Sequence, residues 1–182
     1  MSMKDNGNLV WIDLEMTGLN TFTDKVLELA TIVTNSHLDI LAEGPDIAIH
    51  HPEEVLAAMD AWNTQHHGES GLIERSSKST YTCRQAELET LDFIRQWVDH
   101  GVSPMCGNSV WHDRRFLARF MPELEQYFHY RNIDVSTIKE LAKRWAPDLA
   151  HFKKESRHRA YDDIRESIAE LKYYGDCFLR KS

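Results

Sequence analysis

The chain has 182 residues, 42% of them hydrophobic and 27% charged, with a formal net charge of −8. That length suits one domain, residues 1–182, with a single substantial core, and no run of about 18 apolar residues marks a membrane span. Three scattered cysteines without CxxC spacing, Cys83, Cys106 and Cys177, exclude a disulfide framework and point to a reducing compartment.

The N-terminal stretch lacks the apolar core and small-residue cleavage site of a secretory signal, so a cytoplasmic location is expected. Proteins that grip long nucleic acids by their phosphates need an extensive basic surface. A chain this acidic has no such surface overall, so any such contact must be local. Residues 139–159 are the basic stretch, with seven basic residues against three acidic ones. A solvated helix and loop would have the same composition.

Leu9-Val10-Trp11-Ile12 is an apolar run that ends in Asp13-Leu14-Glu15 and predicts a buried central strand. Val26–Thr34, dense in β-branched residues, and Ile40–Ile49 predict two more. Residues 85–98 carry apolar side chains at helical spacing, and Pro104–Gly107 opens a buried strand or turn. A helix over Asp113–Phe120 is expected to stop before Pro122. Ile133-Asp134-Val135 predicts a short strand, with Ser136 as N-cap of a helix through Trp145. The last helix is marked by an apolar stripe of Ile164, Ile168, Leu171 and Phe178. Strands followed by alternating helices and strands give an α/β fold, a mixed sheet of about five strands flanked by helices.

Three segments carry chemistry. In Asp13-Leu14-Glu15 the period of two puts both carboxylates on one face of the strand. Adjacent acids at the rim of a core repel unless a cation lies between them, and paired carboxylate oxygens suit Mg²⁺ or Mn²⁺ rather than Zn²⁺. Two acids at a solvent-exposed strand end are the plain alternative. Asp113 stands where a helix begins and would serve equally as its cap. Asp163 precedes Ile164, beside the apolar stripe, and His158 lies five residues earlier, where a surface histidine is equally at home. A zinc site from His50, His51, His66, His67 and Cys83 fits no known ligand spacing.

In chain order these segments read Asp-x-Glu, Asn-x4-Asp and His-x-Ala-x-x-Asp. That triple resembles the DEDDh family of 3′→5′ exonucleases, which have a ribonuclease-H-like fold. Longer blocks are similar to its oligoribonuclease branch over nearly the whole chain. They include Trp11-Ile-Asp-Leu-Glu-Met-Thr-Gly-Leu19, Gly107-Asn-Ser109, Asp113-Arg-Arg-Phe-Leu117, Tyr127-Phe-His-Tyr-Arg131 and Asp162-Asp-Ile-Arg-Glu-Ser167. Val110-Trp111-His112 departs from it, since smaller residues are expected before Asp113.

The resemblance implies that Asp13, Glu15, Asp113 and Asp163 hold two divalent cations, Mg²⁺ or Mn²⁺, with Asp13 touching both, and that His158 is the general base. It implies base stacking on Leu19 and Trp62, although core packing is the ordinary role of an isolated tryptophan. It also implies a cap on the 5′ phosphate from His67, Ser109 and Ser136, with Tyr130 and Arg131 supplied by the partner of a homodimer. The expected substrate is very short RNA, chiefly dinucleotides, cut to nucleoside 5′-monophosphates. Two other readings remain: a family member acting on longer RNA or DNA ends, and a non-catalytic nucleic-acid-binding module.

Overall fold

The computed structural model describes residues 4–149, 152 and 159–179. Five strands form one mixed sheet: β1 (Leu9–Met16), β2 (Val26–Thr34), β3 (Ile40–Ala48), β4 (Met105–Gly107) and β5 (Asn132–Asp134), in the order β3-β2-β1-β4-β5. The first three are an antiparallel meander, and β4 and β5 add in parallel beside β1. Eight α-helices accompany them among the described residues: α1 (Glu53–Ala57), α2 (Ala61–Glu69), α3 (Leu72–Lys78), α4 (Cys83–Ile94), α5 (Trp111–Phe120), α6 (Pro122–Tyr127), α7 (Val135–Trp145) and α8 (Ala160–Tyr174).

The alternation of β1 decides which side of the sheet each residue serves. Val10, Ile12 and Leu14 enter the larger core, against Leu91 and Ile94 of α4, Phe116 and Leu117 of α5 and Leu124 of α6. Trp11 enters the opposite core with Ile164 and Ile168 of α8. Asp13 and Glu15 share the parity of Trp11, so the strand that buries its even residues beneath α4 and α5 turns its two acids toward α8. At its C-terminal end β1 meets β2 through a register shift between Glu15 and Met16. Such irregularities re-aim side chains and are frequent beside active sites.

The predicted strands are all present, with β3 ending one residue early. The helix expected over 85–98 is α4, capped by a reciprocal Thr82–Gln85 box and ended at Ile94. α5 begins two residues before Asp113. Ser136 is not the cap of α7: Asp134 is, its carboxylate accepting the Ser136 N–H at 3.0 Å, because Asp134 leaves the strand in an extended conformation whereas Ser136 already lies in the first turn. Asp113 does not cap α5 either; Val110 holds the N-cap position without a side-chain bond. The apolar stripe of the last helix holds for Ile164, Ile168 and Leu171, but Phe178 lies beyond α8 in a short π-helix over Gly175–Leu179 and meets the ring of Trp145 at 6.3 Å.

Candidate active site

Asp13 and Glu15 reach the α8 face at the end of β1, and Asp163 comes down to them from the first turn of α8. A carboxylate oxygen from each lies within 4.8 Å of the other two. Asp113 approaches the same strand end from the far side: it is buried in α5, and its Oδ1 accepts the Leu14 N–H at 2.9 Å. β1, α5 and α8 thus bring the four predicted acids to one strand end, three in a tight group and the fourth bonded to the backbone between Asp13 and Glu15.

The electrostatics follow from burial. The Asp13 carboxyl is held well above its ordinary range by burial first, then by the charges of Asp113, Glu15 and Asp163. Glu15 is pushed up to about 8 by burial and by Asp163 and Glu28. Burial raises Asp113 to about 7 against the opposing bond from Leu14. Carboxylates packed this way demand positive charge. Their donors are all oxygen, which fits a hard divalent cation.

One wall of the site is apolar. Leu19 and Trp62 are 62% and 67% exposed and line a cavity of about 520 Å³ together with Glu15, Met16, Asp60 and Asn63. Exposure on this scale rules out core packing for Trp62. Its ring stacks on His66 with centroids 4.6 Å apart, and Asp60 caps α2 beneath it by accepting the Asn63 N–H at 2.8 Å. The Leu19 loop is shaped by Asp24, which accepts the Asn20 N–H at 2.8 Å. A Cβ at Gly18 would lie 2.6 Å from the Asp24 carboxylate, so a larger residue there would push Asp24 off its bond to Asn20.

His67 is only 2% exposed, and its Nε2 donates to the Met16 carbonyl at 2.9 Å, with Nδ1 3.9 Å from Glu15. It therefore fastens α2 to the end of β1 and presents no open surface. Burial holds its imidazole below the usual range. Ser109 and Ser136 face each other across the ends of β4 and β5, their hydroxyls 3.0 Å apart. Tyr130 and Arg131 are exposed, with the guanidinium 5.3 Å above the phenol ring. His158 lies outside the described residues.

Sequence patterns did not single out several residues that build this site. Glu28 of β2 lies opposite Glu15 across the strands, is buried, and is ion-paired with Arg75 of α3, which also holds Asp46. It also accepts the Ala160 N–H at the start of α8 at 3.4 Å. A glutamate inside the apolar run Val-Leu-Glu-Leu-Ala was the available signal, because a buried charge requires a partner. Asp134 accepts the N–H groups of both Ser109 and Ser136.

A mixed sheet that gathers acids from β1, α5 and α8 defines the exonuclease class of the ribonuclease-H-like fold. The fold is shared with exonuclease I, as in the E. coli enzyme–ssDNA complex: TM-score 0.75 at 13% identity, covering 97% of this chain and 42% of that one. This chain spans less than half the length of that neighbour. A family model described as Exonuclease matches residues 10–171. Oligoribonuclease of Acinetobacter baylyi is 58% identical over 183 residues, covering 100% of both chains. Oligoribonuclease of Pseudomonas paraeruginosa is 61% identical over 179 residues, covering 98% of this chain and 99% of the other. The chain belongs to the oligoribonuclease family of exonucleases. Family and acid cluster together point to the use of divalent metal.

Proposed function

We propose that this chain is a 3′→5′ exoribonuclease that degrades very short RNA, chiefly dinucleotides, to nucleoside 5′-monophosphates. The observation that carries the reading is the sharing of Glu15 between the acid triad and the Leu19–Trp62 cavity. Whatever occupies that cavity lies against the acids. Leucine and tryptophan surfaces sandwich a base without reading its identity, so the base is gripped where its phosphodiester meets the carboxylates.

Asp13, Glu15, Asp113 and Asp163 are the ligands for two divalent cations, Mg²⁺ or Mn²⁺. Such a pair, when bound, supplies an activated water and offsets charge on the leaving oxygen. The chain's own groups do the rest. Leu14 N–H holds Asp113 in place, Glu28 anchors the start of α8 and so the approach of Asp163, and Leu19 with Trp62 fixes the 3′ base. His158, carried over from the family pattern, takes the proton of the attacking water. Ser109, its hydroxyl bonded to that of Ser136, closes on the terminal 5′ phosphate with Tyr130 and Arg131 from the partner subunit of a homodimer; hydroxyl and guanidinium donors suit that group.

Product lengths from 5′-labelled RNAs of two to ten nucleotides, with Mg²⁺ or Mn²⁺, test the reading. Dinucleotides should disappear fastest. Equal rates at every length would favour an exonuclease for longer ends, and binding without cleavage a non-catalytic module. Asp13→Asn should abolish turnover in a folded protein. His158→Ala should slow it roughly 10²–10⁴-fold; turnover within about a factor of two of the unmodified chain would remove His158 from the mechanism.

A further inference from the structure

Asn108 lies between the paired hydroxyls and helix α8. We infer that it is a positioning residue that fixes the direction of the hydroxyl protons at Ser109 and Ser136, leaving Ser109 as the donor free to turn toward a terminal phosphate. This deepens the proposed function, since it rests on reading the pair as a 5′-phosphate contact.

The direction follows from counting protons. Asn108 Nδ2 lies 2.7 Å from Ser167 Oγ and 3.1 Å from Glu170 Oε2. The single hydroxyl proton of Ser167 goes to the Asp163 carbonyl at 2.8 Å, so toward Asn108 that oxygen only accepts. The Glu170 carboxylate, fully buried and braced by Lys139 at 3.3 Å, accepts as well. Two acceptors hold the amide nitrogen toward α8 and turn Asn108 Oδ1 toward Ser136, whose hydroxyl donates to it at 3.0 Å.

With that proton committed, Ser136 Oγ accepts from Ser109, 3.0 Å away. Both backbone N–H groups are taken by Asp134 Oδ1, at 2.9 Å from Ser109 and 3.0 Å from Ser136. The Ser109 hydroxyl is then the last link of the chain and lies on an exposed residue with a left-handed backbone, φ 52°. It can swing outward while the Asn108–Ser136 bond stays made. Without Asn108 the two hydroxyls would share protons in either sense, and Ser109 would lose its defined role as the donor toward an anion.

The test compares kcat/KM for a 5′-phosphorylated dinucleotide with that for its 5′-hydroxyl twin. Asn108→Ala should lower the phosphate preference about tenfold, the scale of one hydrogen bond to a charged group, through KM more than kcat. Glu170→Gln should lower it in the same sense but less, because a glutamine can donate to Asn108 and so permits the reversed amide. Thermal unfolding reports the fold, and Mn²⁺ affinity by calorimetry reports the acid cluster. Equal slowing of both twins, an unchanged ratio in a folded variant, or Mn²⁺ affinity falling in step with the ratio would each overturn the assignment. If the unmodified chain does not distinguish the twins, the 5′-phosphate reading itself fails, and the unmodified control reveals that separately.

Discussion

Asp13 shows why the site was partly legible one residue at a time. Two acids in Asp-Leu-Glu announce a shared face and the family pattern adds Asp113 and Asp163, but only the fold brings the four together, and with them the pressure toward protonation. The consequence is measurable. Glu15 moves from its ordinary 4.5 to about 8 and Asp113 to about 7 in the folded chain. Protons that an unfolded chain sheds near pH 4–5 are therefore retained by the native state. Stability gained this way is fully present below those unfolded values and is lost as pH rises through about 7 to 8. Metal-free protein should unfold at steadily lower temperature between pH 5 and 8, and Mn²⁺ should restore stability more at pH 8 than at pH 6. At 100 times its Kd a ligand contributes about 2.7 kcal/mol, roughly 5–10 °C in Tm for a chain of this size. A flat profile in chelator, or equal Mn²⁺ gains at both pH values, would show that the acids are not coupled in this way. Trp62 illustrates the opposite limit: composition favours burial for a lone tryptophan, and only its place on the outer face of α2 reveals an exposed ring.

Elements with a strong internal period were readable, and those held by tertiary contacts were not. β1 and β2 are long, apolar and alternating or continuous, so their bounds are close to those expected. Helices α1, α2 and α3 are short, and α2 is polar except for Ala61 and the exposed Trp62 and buries only His67, so residues 53–78 offer no periodic signal. α6 restarts at Pro122, a residue that ends the preceding helix yet suits the first position of the next. Serine is a common cap, which makes Ser136 the expected start of α7. Asp134 took that place because its extended backbone lets one carboxylate oxygen serve Ser136 N–H and Ser109 N–H together. Asp134→Ala should therefore cost about 1 kcal/mol, an ordinary cap loss, and also weaken binding of 5′-phosphorylated dinucleotide. Chemical denaturation and binding by calorimetry would check both. Loss of stability with unchanged binding would confine Asp134 to capping.

For the whole molecule, the net charge of −8 is compatible with RNA binding only if few phosphates are engaged at once. Among the described residues no helix is long and apolar enough to cross a membrane. Part of the basic stretch over residues 139–159 is already committed, Lys139 to Glu170 and both Lys143 and Arg144 to Glu140. Arg131 is exposed, its guanidinium above the Tyr130 ring. If it acts in trans, protein carrying Asp13→Asn mixed with protein carrying Arg131→Ala should regain activity after subunit exchange, up to about a quarter of the unmodified level for random pairing in a two-fold dimer. A mixture as inactive as its components would place Arg131 outside the neighbouring site.

The parity of β1 has a consequence for biosynthesis. Because its acids point toward α8 and not toward α5, the cluster waits for the last long helix to be made and docked. Until Ile164 and Ile168 cover Trp11, a growing chain bears Asp13 and Glu15 without Asp163. The acid cluster is thus completed by the same segment that seals the second core.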